Sequence, residues 1–192
     1  MAFGPEIIEQ LRARLDDERP HPEIPDRRAA GVLVPLFVVD GEVGVVLTQR
    51  TAHLRRHSGQ VSFPGGAWEP GDPTLRDTAL RESFEEIGLD PTVVDVLGAM
   101  DDVPTVGSDY MVRPYVARIP HPYEFVADPE EVDRILLPPL DLFADDARRR
   151  EELRERDGVV YHVFFFDFEG AVVWGATARM LVSLVELIET TA

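Results

Sequence analysis

The 192-residue sequence contains no cysteine and no lysine, so all 19 of its basic residues are arginines. The absence of cysteine excludes disulfides, thiolate zinc sites and cysteine nucleophiles. No apolar run reaches the roughly eighteen residues that a membrane-spanning helix needs, so no membrane span is expected. The first residues, MAFGPEIIEQLRARLDDE, lack the basic and then apolar pattern of a signal peptide, and we expect a cytoplasmic protein.

The charges are unevenly divided between the two signs. The 36 acidic residues outnumber the 19 basic ones and give a net charge of −17 at pH 7. Binding of nucleic acid through its phosphates needs a broad basic surface, so nucleic acid is not an expected partner. A small anionic substrate would have to be held by a local arginine cluster or by bound cations. The oligomeric state is left open, because apolar interface positions look like core positions in a sequence.

The length and the 44% hydrophobic content fit one compact domain, residues 1–192. Residues 1–29 are expected to form an N-terminal helix and a connector, and residues 30–192 the core. Helical spacing of apolar residues occurs in three stretches, residues 6–17, 73–88 and 176–189. Pro73 suits the first turn of the second helix and Gly88 suits its end.

Most of the remaining apolar runs read as strands. Asp40-Gly41, between residues 31–39 and 42–50, and Glu169-Gly170 each predict a hairpin turn. Residues 145–156 are densely charged and predict a solvated connection, either helical or disordered. His162, within an apolar strand, is expected to be a packed histidine. Strands mixed with several helices in one domain predict an α/β fold with a mixed sheet.

The segment richest in chemistry is GGAWEPGDPTLRDTALRESFEEIGL, residues 65–89. On a helix, Glu82, Glu85 and Glu86 lie three and four residues apart and share one face. Clustered carboxylates are typical of a solvated acidic face, and also of a site for hard divalent cations. The Gly-Gly loop before the helix, which lets backbone approach a ligand, and the neighbouring Arg81 favour the cation site.

The stretch Arg81-Glu82-Ser83-Phe84-Glu85-Glu86-Ile87-Gly88-Leu89 resembles the second half of the Nudix box. That pattern is Arg-Glu-apolar-any-Glu-Glu-any-Gly-apolar, preceded by a glycine and an earlier glutamate. Here the spacing from Gly66 to Arg81 is one residue longer than usual, and the earlier glutamate has no clean counterpart. Asp72 or Glu69 stands nearby, and this early acid is usually structural.

The resemblance implies a Nudix-type α/β/α sandwich with a mixed sheet and a metal-dependent pyrophosphohydrolase. It implies that Glu82, Glu85 and Glu86, helped by the Gly66 carbonyl, bind Mg²⁺ or Mn²⁺. The catalytic residues would be Glu85, Glu86 and Arg81, with Arg81 in an orienting role. Glu85 is one candidate for the general base. Five acids of later loops are equally available, and the sequence does not choose among them: Asp101, Asp102, Asp109, Glu130 and Glu131.

A second resemblance concerns the substrate. Leu47-Thr48-Gln49-Arg50-Thr51, followed by Arg55, Gly59 and Phe63-Pro64-Gly65-Gly66, resembles the additional signature of coenzyme A pyrophosphatases. So does Trp174-Gly175-Ala176-Thr177-Ala178, which opens the last helix. The resemblance implies cleavage of coenzyme A to 4′-phosphopantetheine and 3′,5′-adenosine diphosphate.

A group of basic residues precedes the box. Arg50, Arg55, Arg56 and His57 are candidates for binding the pyrophosphate or the ribose 3′-phosphate, because arginine makes bidentate contacts with phosphate. Two other functions stay open. One is a Nudix hydrolase that acts on ADP-ribose or another nucleoside diphosphate derivative. The other is a non-catalytic Nudix domain that binds a nucleotide, although the complete acidic set argues against it.

Overall fold

The computed structural model describes residues 2–16, 18, 20, 26–51, 59–106, 108–156 and 158–190. Its α-helices are α1 (Ile7–Arg12), α2 (Leu75–Ile87) and α3 (Gly175–Glu189). Its strands are β1 (Arg28–Val39), β2 (Glu42–Val45), β3 (Leu47–Arg50), β4 (Val61–Ser62), β5 (Gly65–Ala67), β6 (Asp95–Ala99), β7 (Val103–Pro104), β8 (Tyr110–Arg118), β9 (Val132–Leu136), β10 (Arg150–Arg156), β11 (Val159–Phe168) and β12 (Ala171–Trp174). No helix in these ranges combines the length and the apolar character needed to cross a bilayer.

Strand β1 is central to a mixed six-stranded sheet. The main path of this sheet is β2-β1-β8-β6, while β5 pairs with β1 and β7 pairs with β8. The β1–β8 pair is parallel, and the other pairs in this sheet are antiparallel. Two three-stranded sheets, β4-β3-β9 and β10-β11-β12, complete the described strands.

Helices cover both faces of β1. On one face α2 packs against the strand, and Leu33 and Leu75 share a buried cluster. On the other face Val34 belongs to a second cluster with Leu11 of α1 and Leu184 of α3. Burial on both faces explains why β1 reads as a nearly continuous apolar run instead of an alternating one. The predicted α/β/α sandwich with a mixed sheet is confirmed.

A close approach between β1 and α2 sets the position of the acidic helix. A Cβ atom on Gly31 would lie 2.1 Å from the carbonyl oxygen of Leu75, so a larger residue would force the helix away from the strand. Gly31 pairs with Gly66 of β5, and Val32 pairs with Gly65. The Gly-Gly loop therefore lies beside the same helix.

The two ends of α2 are set by local signals. Thr74 caps the helix, because its side-chain oxygen accepts a hydrogen bond from the Asp77 N–H at 3.2 Å. Pro73 lies before this cap and not in the first turn as predicted. The predicted end at Gly88 is confirmed, since Gly88 adopts the left-handed conformation with φ 65°.

The predicted first helix, residues 6–17, is too long. Helix α1 ends at Arg12, and Asp16 forms a β-bridge with Ala99. The chain after the helix therefore lies at the edge of the six-stranded sheet, next to β6. The last helix is as expected and spans Gly175–Glu189.

Both predicted hairpins are present. Asp40-Gly41 and Glu169-Gly170 have positive φ at both positions, as a tight hairpin with a right-handed twist requires. The strand predicted over residues 42–50 is divided at Val46, however. Its first part, β2, pairs with β1, whereas β3 pairs with β4 and β9 in another sheet.

The prediction for residues 145–156 is wrong in its secondary structure. Residues 150–156 form strand β10, which pairs with β11. Arginine, glutamate and leucine favour helix in isolation, but pairing with the strongly strand-forming β11 overrides that propensity. The guanidinium of Arg150 lies 4.0 Å from the ring centre of Phe165, which is a cation–π contact across the pair.

Candidate active site

Glu86 lies at the centre of the candidate site. Glu86 is only 4% exposed, and one of its carboxylate oxygens accepts a hydrogen bond from the Gly65 N–H at 3.2 Å. The other oxygen lies 3.5 Å from the Arg50 guanidinium. Burial raises the pKa of Glu86 from 4.5 to about 8. Helix α2 thus directs a carboxylate into the protein at a point where its negative charge is poorly compensated.

Glu82 meets the same loop one turn earlier. A Cβ atom on Gly66 would lie 2.5 Å from the Glu82 carboxylate carbon, so the carboxylate occupies the space that a larger residue would fill. Burial also raises the pKa of Glu82 above its ordinary value, although Arg81 acts in the opposite direction. The structure therefore brings together Glu82, Glu86 and the Gly65-Gly66 backbone.

Arg81 is held by an acid that precedes the helix. Its Nε and one terminal nitrogen each donate to Asp72, both at 2.9 Å, in a bidentate pair. Asp72 also accepts a hydrogen bond from the Thr78 hydroxyl at 2.8 Å. The hydrogen bond from Arg81 is the main reason why the pKa of Asp72 falls to about 2. Of the two acids left open by the longer spacing, Asp72 binds the arginine, and Glu69 contributes its backbone N–H to Asp72.

The remaining nitrogen of Arg81 connects two of the acids. It lies 2.9 Å from Glu82 and 3.0 Å from Glu85. The Glu85 side chain is 56% exposed, so it faces solvent at the edge of the group. Arg81 therefore connects Asp72, Glu82 and Glu85.

Arg50 belongs to the upstream signature and lies among the acids of the box. Besides its contact with Glu86, it donates to the Glu131 carboxylate at 3.2 Å. Glu131 lies just before β9, on the loop that follows β8. Burial is the main reason why the pKa values of Glu82 and Glu86 are raised, and the negative charge of Glu131 adds to this effect. Arg50 thus joins a carboxylate of the helix to a carboxylate of a distant loop.

The other candidate bases have different surroundings. Asp102 accepts two hydrogen bonds, at 2.7 and 2.9 Å, from Arg113, which is 1% exposed. That bidentate pair engages both carboxylate oxygens of Asp102, so Asp102 is a poor candidate for the general base. Asp101, Asp109 and Glu130 are exposed.

The predicted phosphate-binding residues Arg55, Arg56 and His57 lie outside the described residues. His162 is exposed and contacts Glu151, so the expectation of a packed histidine is wrong.

The oxygen atoms of Glu82, Glu86 and the Gly65-Gly66 backbone are donors that suit a hard divalent cation. Carboxylate and carbonyl oxygens are the ligands that such cations prefer, and a cation would supply the positive charge that the buried Glu86 lacks. In the described part of the chain no three acidic or histidine side chains lie close enough together to hold a metal ion.

Comparison with known proteins gives the family. The NUDIX domain model matches residues 27–164. Nudix hydrolase 15 of Arabidopsis thaliana, described as mitochondrial, is 36% identical over 175 residues, which cover 82% of this chain and 59% of that protein. The Nudix hydrolase NudL of Yersinia pestis is 35% identical over 161 residues, which cover 84% of this chain and 80% of that protein. The chain belongs to the Nudix hydrolase family.

Solved structures show the same fold. A MutT/nudix family protein from Enterococcus faecalis superimposes with a TM-score of 0.58 at 14% identity, covering 96% of this chain and 69% of its own. The Ap4A hydrolase of C. elegans has a TM-score of 0.51 at 15% identity, covering 86% of this chain and 98% of its own. Nudix hydrolases generally use divalent metal ions and act on small nucleotide substrates.

Proposed function

We propose that the chain hydrolyses the pyrophosphate bond of coenzyme A, releasing 4′-phosphopantetheine and 3′,5′-adenosine diphosphate. The observation that carries the proposal is the contact between Arg50 and Glu86. It joins the upstream segment that resembles the coenzyme A signature to the acidic helix in one site. General Nudix hydrolases lack that upstream pattern, so the contact favours coenzyme A over ADP-ribose.

Glu82, Glu86 and the Gly66 carbonyl would hold the cation, with Glu85 the more exposed fourth donor. When bound, Mg²⁺ or Mn²⁺ neutralises charge on the phosphates and lowers the pKa of the attacking water. Arg81 keeps Glu82 and Glu85 in place through its anchor on Asp72. These residues supply orientation, which is a large part of catalysis at a phosphoryl centre.

The reaction forms a bond between the water oxygen and one phosphorus and breaks the bond from that phosphorus to the bridging oxygen. A carboxylate must take the proton of the water. Glu131 is the best placed of the loop acids, because Arg50 holds it next to Glu86. We therefore assign the proton transfer to Glu131, with Glu85 as the alternative within the helix.

The basic residues of the upstream segment complete the proposal. Arg50 already lies among the carboxylates, where it would meet the pyrophosphate as substrate arrives. Arg55, Arg56 and His57 follow it in the chain and are proposed to bind the negative oxygens of the pyrophosphate. This part rests on the sequence pattern and on the suitability of arginine for phosphate.

The test of the substrate is product analysis. The purified chain is incubated with coenzyme A, dephospho-coenzyme A and ADP-ribose, each with Mg²⁺ or Mn²⁺ and with a chelator as the control. Preferential release of 3′,5′-adenosine diphosphate from coenzyme A supports the proposal. Equal or better cleavage of ADP-ribose refutes coenzyme A as the substrate, and no cleavage of any compound favours the nucleotide-binding domain.

The test of the base compares two adjacent glutamates. Glu131→Gln is expected to lower kcat by about 10²-fold or more, the usual contribution of a general base, and to change KM little. Glu130→Gln is the matched control, since its exposed side chain lies next in the sequence, and it should retain nearly full activity. A large loss in Glu85→Gln, together with a normal Glu131→Gln enzyme, would move the role to Glu85.

A further inference from the structure

A cavity of about 390 Å³ lies on the face of β1 opposite helix α2. It is bounded by β4, by the segment around β7, by β11 and by the start of α3. Val32 lines it and pairs directly with Gly65, and Phe63 lines it two residues before Gly65. Two residues of extended chain span roughly 7 Å, so the cavity begins close to the Gly-Gly loop. Its volume lies within the range of small-molecule sites.

The charged residues that line this cavity are basic, although the chain as a whole is acidic. Arg154, Arg179 and His162 line it, whereas no Asp or Glu is found among its described lining residues. Acids outnumber arginines in the chain by 36 to 19, so an acid-free wall with two arginines stands out from its surroundings. This local sign of charge favours an anionic ligand.

The two arginines are available to a ligand. Arg179 is exposed on α3 and forms no ion pair with a described residue. Arg154 pairs with Glu152 at 2.9 Å, but both side chains are more than 40% exposed. An exposed pair of this kind contributes little stability, so a phosphate can replace the glutamate at small cost.

The interior of the cavity suits a flat apolar group. Buried side chains of Val61, Phe63 and Met180 form part of its wall. Trp174 also lines it, and its ring is stacked on Phe165 with 6° between the two planes. An aromatic side chain held in this way offers a rigid surface on which a planar ring can stack.

Two of the sequence segments singled out above meet at this cavity. The Thr177 hydroxyl, in the segment that opens α3, donates to the Val61 carbonyl at 3.2 Å, just before Phe63. The α3 segment and the segment leading to the Gly-Gly loop therefore build one wall together. We propose that this cavity binds the 3′-phosphoadenosine half of the substrate, with Arg154 and Arg179 on its 3′-phosphate; the inference rests on the proposed function.

The chemistry of the two halves of coenzyme A supports this choice. The pantetheine arm is uncharged, so an acid-free wall with two arginines would serve no purpose for it. The adenosine half carries both a planar base and an additional phosphate dianion. The proposal also explains how an enzyme of this kind would distinguish coenzyme A from dephospho-coenzyme A, which differs only by that phosphate.

The first test measures binding without turnover. Isothermal titration calorimetry of the full chain, in the presence of a chelator, compares 3′,5′-adenosine diphosphate with AMP. The wild-type chain is expected to bind 3′,5′-adenosine diphosphate about 10-fold or more tightly, as charge-assisted hydrogen bonds to one phosphate predict. Arg154→Ala and Arg179→Ala should each reduce this preference, and the double variant should abolish it.

The matched control is Arg148→Ala, which removes the same charge from an exposed arginine that does not line the cavity. It should leave the preference unchanged. Equal affinity for the two nucleotides, no measurable binding of either, or a preference that survives the double variant overturns the inference. Circular dichroism checks that each variant is folded.

Kinetics separate this inference from the proposed function. If the wild-type chain cleaves coenzyme A, the double variant should lose about 10-fold or more in kcat/KM for coenzyme A but retain its value for dephospho-coenzyme A. An equal loss for both substrates overturns the phosphate assignment alone. If the chain does not cleave coenzyme A, the proposed function fails, whatever the nucleotide titrations show.

Discussion

Replacing Glu86 with glutamine should stabilise the protein when no cation is bound and remove most of the activity that it has with Mg²⁺ or Mn²⁺. Glu86 is 4% exposed, and burial raises its pKa from 4.5 to about 8. Between these two values the folded protein binds a proton that the unfolded chain has released. Glu86 therefore costs no stability below about pH 4.5, and the free energy of unfolding falls as the pH rises from that value toward about 8.

The size of the effect follows from the same linkage. Near pH 7 the unfolded chain releases the proton of Glu86 that the folded protein keeps, which lowers the free energy of unfolding by roughly 3 kcal/mol; near pH 5 the loss is less than about 1 kcal/mol. Glutamine resembles the protonated acid and can still accept the hydrogen bond from the Gly65 N–H. For a chain of this length, roughly 3 kcal/mol corresponds to a rise in Tm of about 6–12 °C.

The assay is thermal unfolding followed by circular dichroism, with a chelator, near pH 7 and near pH 5. Glu86→Gln should melt well above the wild type at the higher pH and close to it at the lower pH. Glu85→Gln is the control, because its side chain is 56% exposed and a surface change of this kind alters stability by about 0.5 kcal/mol or less. A Glu86→Gln protein that is no more stable than the wild type near neutral pH would refute the reasoning.

The same variant, assayed with Mg²⁺ or Mn²⁺, should lose about 10²-fold or more in kcat, since metal ligation lowers the barrier by several kcal/mol.

Two further predictions concern the anchoring of the acids. Asp72→Asn should lower the free energy of unfolding by roughly 2 kcal/mol near neutral pH. The pKa of Asp72 falls from its ordinary value of 3.8 to about 2 on folding, so the ionised carboxylate stabilises the folded protein at any pH above 3.8. Urea unfolding measures this loss, which should shrink as the pH falls from about 3.8 toward 2; an unchanged midpoint near pH 7 would contradict it. Gly66→Ala should leave a folded protein with strongly reduced kcat, since the new Cβ would lie 2.5 Å from the Glu82 carboxylate carbon. Full activity in this variant, measured by product release, would contradict the close approach.

Much of the fold could be predicted because its signals are local. The hairpins at Asp40-Gly41 and Glu169-Gly170 and the helix end at Gly88 all depend on residues that accept a positive φ, which the sequence displays directly. Strand β10 could not be predicted in the same way. Its residues favour helix, and only pairing with β11, through long-range contacts, makes it a strand.

The site shows the same division. Helical spacing alone brings Glu82 and Glu86 onto one face, and the Gly-Gly loop beside them follows from the motif. The partners of the arginines depend on tertiary contacts, so the sequence could not show that Arg81 binds Asp72 or that Arg50 reaches Glu131. The arginines of the cavity carried no signal in the sequence.

Binding of Mn²⁺, followed by electron paramagnetic resonance, tests most directly whether the buried carboxylates form the cation site. Titration of the wild-type chain should show loss of the free Mn²⁺ signal as the ion binds. Glu82→Gln and Glu86→Gln should each weaken binding by about 10-fold or more, while Arg148→Ala should bind as the wild type does. Unaltered Mn²⁺ affinity in both glutamine variants would contradict the assignment of these residues as the site of metal-assisted hydrolysis.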